Sequence, residues 1–445
     1  MMKKRRVLLL GLIALMLGVA AAPRLLRAIP PRYAARWLPK PLQQLAAPRT
    51  ASPILPTVSR PVGASELLEI AGLPEEITAT PELSFSPPAT PTPPPVLAGH
   101  SQIKPTVPPL PSPTPFPTNT PIPIPSAARL NGFQHKFQTW NNCGPATIAM
   151  TLSYFGMNIT QDQTAAVLKP NPEDRNVSPH EMSAYVNERT PFQAIDRVNG
   201  DLDTVRRLIA NNIPVIVEIG IEPPGEYRWL GWYGHYLLIV AYDDALQQFW
   251  VYDSWFGTSE VPGENATTDG RILTYAETAE FWPHFNRNYI AVYQSEQASL
   301  VADIIGENMD DGVMWKNTLN QVKAEAAADP ENAFYWFNLG TIHNALGQYT
   351  EAATAFDQAR AIGLPWRMLW YQFGPYEAYY QVGRYEDVIL LADVTLKDRP
   401  YFEESFYYKG LALAALGEID AARQNFTWAA EFNPNYSPAV AALGN

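Results

Sequence analysis

Apolar and polar positions change texture several times along the chain. Residues 7–22 are apolar or small without a break, preceded by Lys3, Lys4, Arg5 and Arg6 and followed by Pro23 and Arg24. A basic start before an apolar run is the pattern of a signal sequence or a membrane anchor, and this run is just short of the ~17–25 residues that a spanning helix needs. Ala20, Ala21 and Ala22 suit signal cleavage, but Pro23 directly behind them disfavours it. We therefore expect an uncleaved anchor over residues 1–22 with the globular part outside the cytoplasm, and secretion after cleavage as the alternative. Residues 23–127 are first basic and then built from Pro, Thr, Ser and Ala. Fixed φ and missing amide donors favour extended polyproline II there, so this segment reads as a disordered stalk. At ~3.1 Å per residue, its Pro-rich part can reach on the order of 200 Å.

Globular texture occupies residues 128–297. Residues 147–154 and 202–210 read as helices, and residues 214–219, 235–242, 249–252 and 289–293 as strands bounded by Gly, Pro and Asp. Helices first and strands later predict an α+β unit with a mostly antiparallel sheet. Glu218 and Glu222, close to Pro223 and Pro224, read as a solvated strand end, with the lining of a pocket as the alternative.

Residues 298–445 repeat themselves. Gly347, Gly383 and Gly417 recur at steps of 36 and 34 residues, and Pro365, Pro400 and Pro434 at 35 and 34. That period predicts paired antiparallel helices stacked as an all-α solenoid. Trp336, Leu339, Gly340, Ala352, Phe356 and Ala359 in the first unit, with Phe406, Gly410, Ala422, Phe426 and Ala429 in the third, resemble tetratricopeptide repeats, in which large residues wedge between helices at small partners. Gly374 and Pro375 interrupt the first helix of the middle unit, residues 299–332 read as a degenerate further unit, and residues 437–443 as a closing helix.

Composition narrows the function. The chain has 445 residues, 43 prolines and one cysteine, with a net charge of −12. Residues 1–50 contain ten Lys or Arg and no acid, so the remainder is strongly acidic and nucleic acid is not an expected partner. One cysteine excludes an intramolecular disulfide and any multi-cysteine metal site. Without a Walker loop, dinucleotide fingerprint or metal-ligand cluster in the sequence, we expect no cofactor and no metal.

The single thiol, Cys143, lies in Gln138-Thr-Trp-Asn-Asn-Cys143-Gly144-Pro145-Ala146, directly before an apolar helix. A helix N-terminus stabilises a thiolate and makes it a nucleophile near neutral pH. Such a nucleophile needs a base. His100 lies in the stalk and His343 in the repeats, His180 sits at a helix start, and His284 is a further histidine of the globular part. His235 opens an apolar strand that returns at residues 249–253. A hairpin centred near Asp244 sets His235 opposite Asp253, with Cβ atoms ~5 Å apart, where a carboxylate can orient an imidazole. His135, eight residues before the thiol, is the rival base.

These three blocks, Gln138 to Ala146, the Gly234-His235 strand and Tyr252-Asp253-Ser254-Trp255-Phe256-Gly257, resemble the bacteriocin-processing, double-glycine-leader peptidases and their stand-alone relatives among papain-like cysteine peptidases. The resemblance spans residues 128–297. It implies an α+β papain-like fold, Cys143 as nucleophile, His235 as general base and acid, Asp253 as orienting carboxylate, and Gln138 as the side-chain donor of an oxyanion hole. Ser254 stands where relatives commonly carry proline, and the membrane domain and ATPase of transporter-linked members have no counterpart in this sequence. The expectation is thus a membrane-tethered cysteine peptidase whose repeats recruit a peptide or protein substrate. The alternatives are a non-catalytic peptide-binding module of the same fold and a thiol-dependent acyltransferase or amidase.

Overall fold

A computed structural model describes residues 124–222, 231–259 and 263–444, together with 54–57 and the isolated positions 26, 38, 39 and 42. The anchor segment 7–22, His100 and nearly all of the Pro-rich stretch lie outside the described residues. Among the described residues no helix is long and apolar enough to cross a membrane.

The four apolar runs become strands, and three further short segments join them in an antiparallel sheet. The strands are β1 (Ala127–Arg129), β2 (Gln193–Arg197), β3 (Val215–Ile221), β4 (Tyr233–Asp243), β5 (Gln248–Asp253), β6 (Arg271–Thr274) and β7 (Tyr289–Tyr293). Their order is β2-β7-β3-β4-β5-β6, and β1 pairs with the end of β4. Helices α1 (Cys143–Tyr154), α2 (Gln161–Leu168) and α3 (Pro179–Arg189) precede most of the sheet, α4 (Leu202–Ala210) follows β2, and α5 (Tyr275–Phe281) follows β6. Alternation along the central strands feeds two cores. Ile216, Leu238, Val240, Ile290 and Val292 pack with Ile148 and Met150 of α1 and Met182 and Val186 of α3. Val215, Val217, Leu237, Ile239 and Val251 face the other way, with Val205, Leu208 and Ile209 of α4. Strands buried on both faces explain why β3 and β4 read as continuous apolar runs.

The C-terminal region is all-helical among its described residues: α6 (Ala298–Ile305), α7 (Asp311–Ala328), α8 (Ala333–Ala345), α9 (Tyr349–Ile362), α10 (Gly374–Gln381), α11 (Tyr385–Asp398), α12 (Glu403–Ala415), α13 (Ile419–Phe432) and α14 (Ser437–Gly444). The recurrent glycines have a conformational cause. Gly347, Gly383 and Gly417 each take a positive φ of 72–84° just past a first helix, where a side chain would be strained. Gly340 and Gly410 have a packing cause, since a Cβ at either would come within 2.7 Å of the ring of Phe356 or Phe426. Gly410→Ala should therefore lower stability by about 1–3 kcal/mol through overpacking, read from urea unfolding, whereas a variant as stable as the parent would mean a looser helix contact.

Two features depart from the sequence expectation. In the middle unit a 3-10 turn, Trp366–Trp370, precedes α10, so its first helix is only eight residues long. This turn leans on the α+β region: Arg367 donates to the Trp232 carbonyl at 3.0 Å and stacks 4.0 Å from the Tyr233 ring. Within the expected disordered stalk, Leu55 is buried against the helices and its amide donates to the Leu364 carbonyl at 3.0 Å. Arg360 donates to the Pro56 carbonyl at 2.9 Å. Burial of one leucine and two hydrogen bonds hold residues 54–57 in place, and at the other end Ala127 opens β1 while the Pro125 and Ser126 carbonyls accept from Tyr242 and Asp244, which corrects the disordered reading for both stretches.

Candidate active site

Cys143 is the first residue of α1. Asn141 adopts a left-handed φ of 55° just before it. Asn142 precedes the helix without capping it through its side chain, and no acid occupies the first turn. The leading amides of α1 therefore lack helical acceptors, which puts a partial positive charge beside the thiol. A Cβ on Gly144 would lie 3.2 Å from the Val177 Cβ, so the chain packs closely behind the half-buried Cys143.

His235 is buried, hydrogen-bonds Asp253 and lines the same cleft as Cys143. Its Nε2 lies 2.8 Å from Asp253 Oδ1, which leaves Nδ1 as the ring nitrogen for the thiol. The register that brings this about differs from the sequence expectation. Asp253 pairs with Leu237, while His235 pairs with Ile219 of β3. A bulge at Val240, between the Ile239–Val251 and Ala241–Trp250 pairs, makes the difference. Without this extra residue Asp253 would face Leu238, and His235 would point to the other side of the sheet. The bulge changes the parity, so His235 and Asp253 share a face as diagonal neighbours within side-chain reach.

Asp253 is fully buried and fully engaged. Oδ1 also accepts from the amides of Trp255 (2.8 Å) and Phe256 (2.9 Å), and Oδ2 accepts from Arg271 Nη2 at 3.0 Å. Burial alone would raise its pKa, but His235 and then Arg271 hold the carboxyl well below the usual carboxylate range. Burial would likewise lower the pKa of His235; the Asp253 carboxylate, followed by Cys143, outweighs it and raises the imidazole to about 9. The rival His135 does not reach this arrangement. Its Nε2 bonds the Asp253 main-chain oxygen at 2.8 Å, and burial lowers its pKa. His180 is exposed on α3. His284 stacks on Phe334 at 3.6 Å and accepts at Nδ1 from Trp232, and His343 pairs with Gln348.

Gln138 lines the same cleft as Cys143 and His235. Its main-chain amide donates to the Ser254 carbonyl at 2.7 Å, and its Oε1 accepts from Ser254 Oγ at 2.9 Å. The hydroxyl at the position where relatives commonly carry proline thus fixes the carboxamide, leaving Nε2 as the end available to a ligand. Trp370 and Tyr371, from the turn of the helical region, complete the wall and leave a cavity of about 20 Å³. Among the described residues no group of His, Cys, Asp and Glu is arranged to hold a metal ion.

Glu218 is not at a solvated strand end but lines a cavity, the alternative reading of its position. Glu222 is exposed, but Glu218 is 4 % exposed in the middle of β3. It accepts from Asn288 Nδ2 at 2.8 Å, while its amide donates to Asn288 Oδ1. Burial raises its pKa to about 8, against the Asn288 hydrogen bond, so the carboxyl is neutral at pH 7. A lone glutamate in a strand buried on both faces was the available signal.

These shifts set a pH dependence. For Glu218 the folded pKa exceeds the ordinary value, so the folded state binds more protons and loses stability as pH rises from about 4.5 to 8. Burial also pushes up Asp174, Glu181, Glu403 and Glu404. Burial lowers His284 to about 3, an opposing effect confined to pH below about 6.5. The melting temperature should therefore fall as pH rises from about 6.5 to 8, and Glu218→Gln should flatten the fall. An unchanged slope in that variant would contradict a buried, protonated Glu218.

With this geometry in place, known families provide a comparison. Residues 129–287 match the Peptidase_C39 like family. The match runs from β1 through the loop before β7, little more than a third of the chain, and supports a papain-like cysteine peptidase type for this region. No curated protein matches the chain.

Proposed function

We propose that the protein is a cysteine peptidase that hydrolyses peptide bonds through Cys143, His235 and Asp253. The observation that carries this reading is a buried imidazole hydrogen-bonded to a buried carboxylate and lining one cleft with the only cysteine of the chain. The Cys143 thiolate attacks the scissile carbonyl carbon. The oxyanion that forms accepts from the Cys143 main-chain amide and from Gln138 Nε2, whose other end is held by Ser254. His235 gives its proton to the departing amine. It then takes one from the water that attacks the thioester, and releases the acid product and the thiol. Asp253 keeps the ring oriented and favours its charged form.

The repeats over residues 298–445, on this reading tetratricopeptide-like, recruit a peptide or protein. Residues 1–22 tether the chain to a membrane, and the part of residues 23–127 before the docked segment 54–57 spans the distance to the peptidase region, 128–297, outside the cytoplasm. Peptide-library profiling of wild type and Cys143→Ala in parallel, with reducing agent present, tests the hydrolytic claim. Cleavage by wild type alone supports it; no cleaved peptide, or equal cleavage by both, overturns it.

A further inference from the structure

The cleft beside Cys143 contains a cation that the proposed mechanism does not use. Arg175, in the loop between α2 and α3, lines the cleft together with Gln138, Cys143 and His235. It is 8 % exposed, and its Nε is buried without a hydrogen-bond partner. Its guanidinium carbon lies over two indoles, 5.2 Å from the ring centre of Trp140 and 5.2 Å from that of Trp370. These rings come from distant parts of the chain: Trp140 precedes the thiol by three residues, and Trp370 ends the turn of the middle helical unit.

The adjacent acids are turned elsewhere. Glu173 accepts from Trp140 Nε1 at 3.1 Å, and Asp174 accepts from the Asn176 amide at 2.9 Å. No carboxylate of the described residues forms an ion pair with Arg175. A buried charge without a counter-charge is costly, and stacking on two indoles offsets only part of that cost. The stacking also fixes the plane of the guanidinium, so its fork of N–H donors is pre-set for a planar, bidentate acceptor.

We propose that Arg175 is a specificity-determining residue that binds a carboxylate of the substrate beside the bond attacked by Cys143. The inference rests on the peptidase reading and deepens it: the preferred substrate bears either an acidic side chain or a free C-terminal carboxylate in this cleft. Because Trp370 supports Arg175, the helical region takes part in selecting the substrate as well as in recruiting it.

A first test needs no substrate. Cys143 is the only thiol, so alkylation by iodoacetate and by the neutral iodoacetamide reads the local charge directly. The rate ratio of iodoacetate to iodoacetamide should exceed that of glutathione about tenfold at low salt and fall as NaCl rises. His235 raises the ratio as well, so the comparison with Arg175→Gln isolates the guanidinium. That variant should lose at least threefold of the ratio, with Arg175→Lys, which keeps the charge without the planar fork, in between. A wild-type ratio equal to that of glutathione, or an undiminished ratio in Arg175→Gln, would overturn the proposal.

Matched peptides then identify the source of the carboxylate. Preference for free acids over C-terminal amides points to the chain end, and preference for Glu over Gln in amide-capped peptides points to a side chain. Cleavage with neither preference overturns the proposal. An elevated, Arg175-dependent alkylation ratio without cleavage of any peptide would instead remove the peptidase reading and leave an anion-binding cleft.

Discussion

Cys143→Ala should reduce peptide hydrolysis by about 10⁴-fold or more while leaving the melting transition almost unchanged. Removing a nucleophile from a unit that acts together forfeits nearly all of its rate enhancement, since the base and its carboxylate have no thiol left to activate. The fold should tolerate the change. Cys143 is half-buried at the edge of one core cluster, so truncation to alanine costs within about 1 kcal/mol. Hydrolysis of the wild-type substrates measured with purified variant, next to its thermal melt, checks both halves. Retained cleavage would mean that another group is the nucleophile.

Asp253→Asn should harm both rate and stability. The carboxylate accepts from His235, Arg271 and the amides of Trp255 and Phe256, all away from solvent. An asparagine has one acceptor oxygen where Asp253 has two, so it must turn an NH₂ group towards either His235 or Arg271. Towards His235, it selects the wrong ring tautomer; towards Arg271, it sets donor against donor. In both cases the imidazole loses the charge that raises its pKa to about 9. A fall in kcat of about 10²–10⁴-fold is expected, together with about 3–5 kcal/mol of stability, because Arg271 is left as a buried charge without its partner. Urea unfolding and steady-state kinetics on the same preparation separate the two losses. Pairing Asp253→Asn with Arg271→Met should recover stability but not rate.

The contrast between Asp253 and Glu218 shows how far one strand pattern can be read. The apolar run containing His235 and the return ending at Asp253 suffice to place both residues on neighbouring strands. Their exact register was not legible, because a bulge is one extra residue within a pattern of period two, and Val240 looks like any other apolar residue of the strand. The expected direct opposition was wrong by two residues, yet an even offset keeps the face, so the two side chains still meet. The solvated reading of Glu218 failed because nearby Pro223 and Pro224 suggest a strand end, while the sheet continues to Ile221 with both faces covered. Arg175 left no trace in the sequence at all. It belongs to a loop, and its two indole partners stand 35 residues before it and 195 after it. Only folding brings such a group together. The helical region was legible as a 34-residue period, and the departure at Gly374 and Pro375 was visible too. Its consequence was not: the shortened first helix makes room for the turn that places Trp370 and Tyr371 against the cleft.

Whether Cys143 stands as a thiolate paired with a protonated His235 is read most directly from the pH dependence of its alkylation by iodoacetamide. In wild type the rate constant should level off on the acid side and remain substantial at pH 6, because the paired thiolate persists well below the ordinary thiol pKa of about 8.5. In His235→Gln it should fall about tenfold per pH unit below that value. A wild-type profile that follows a simple thiol with a pKa near 8.5 would contradict the ion pair and, with it, the catalytic role proposed for this site.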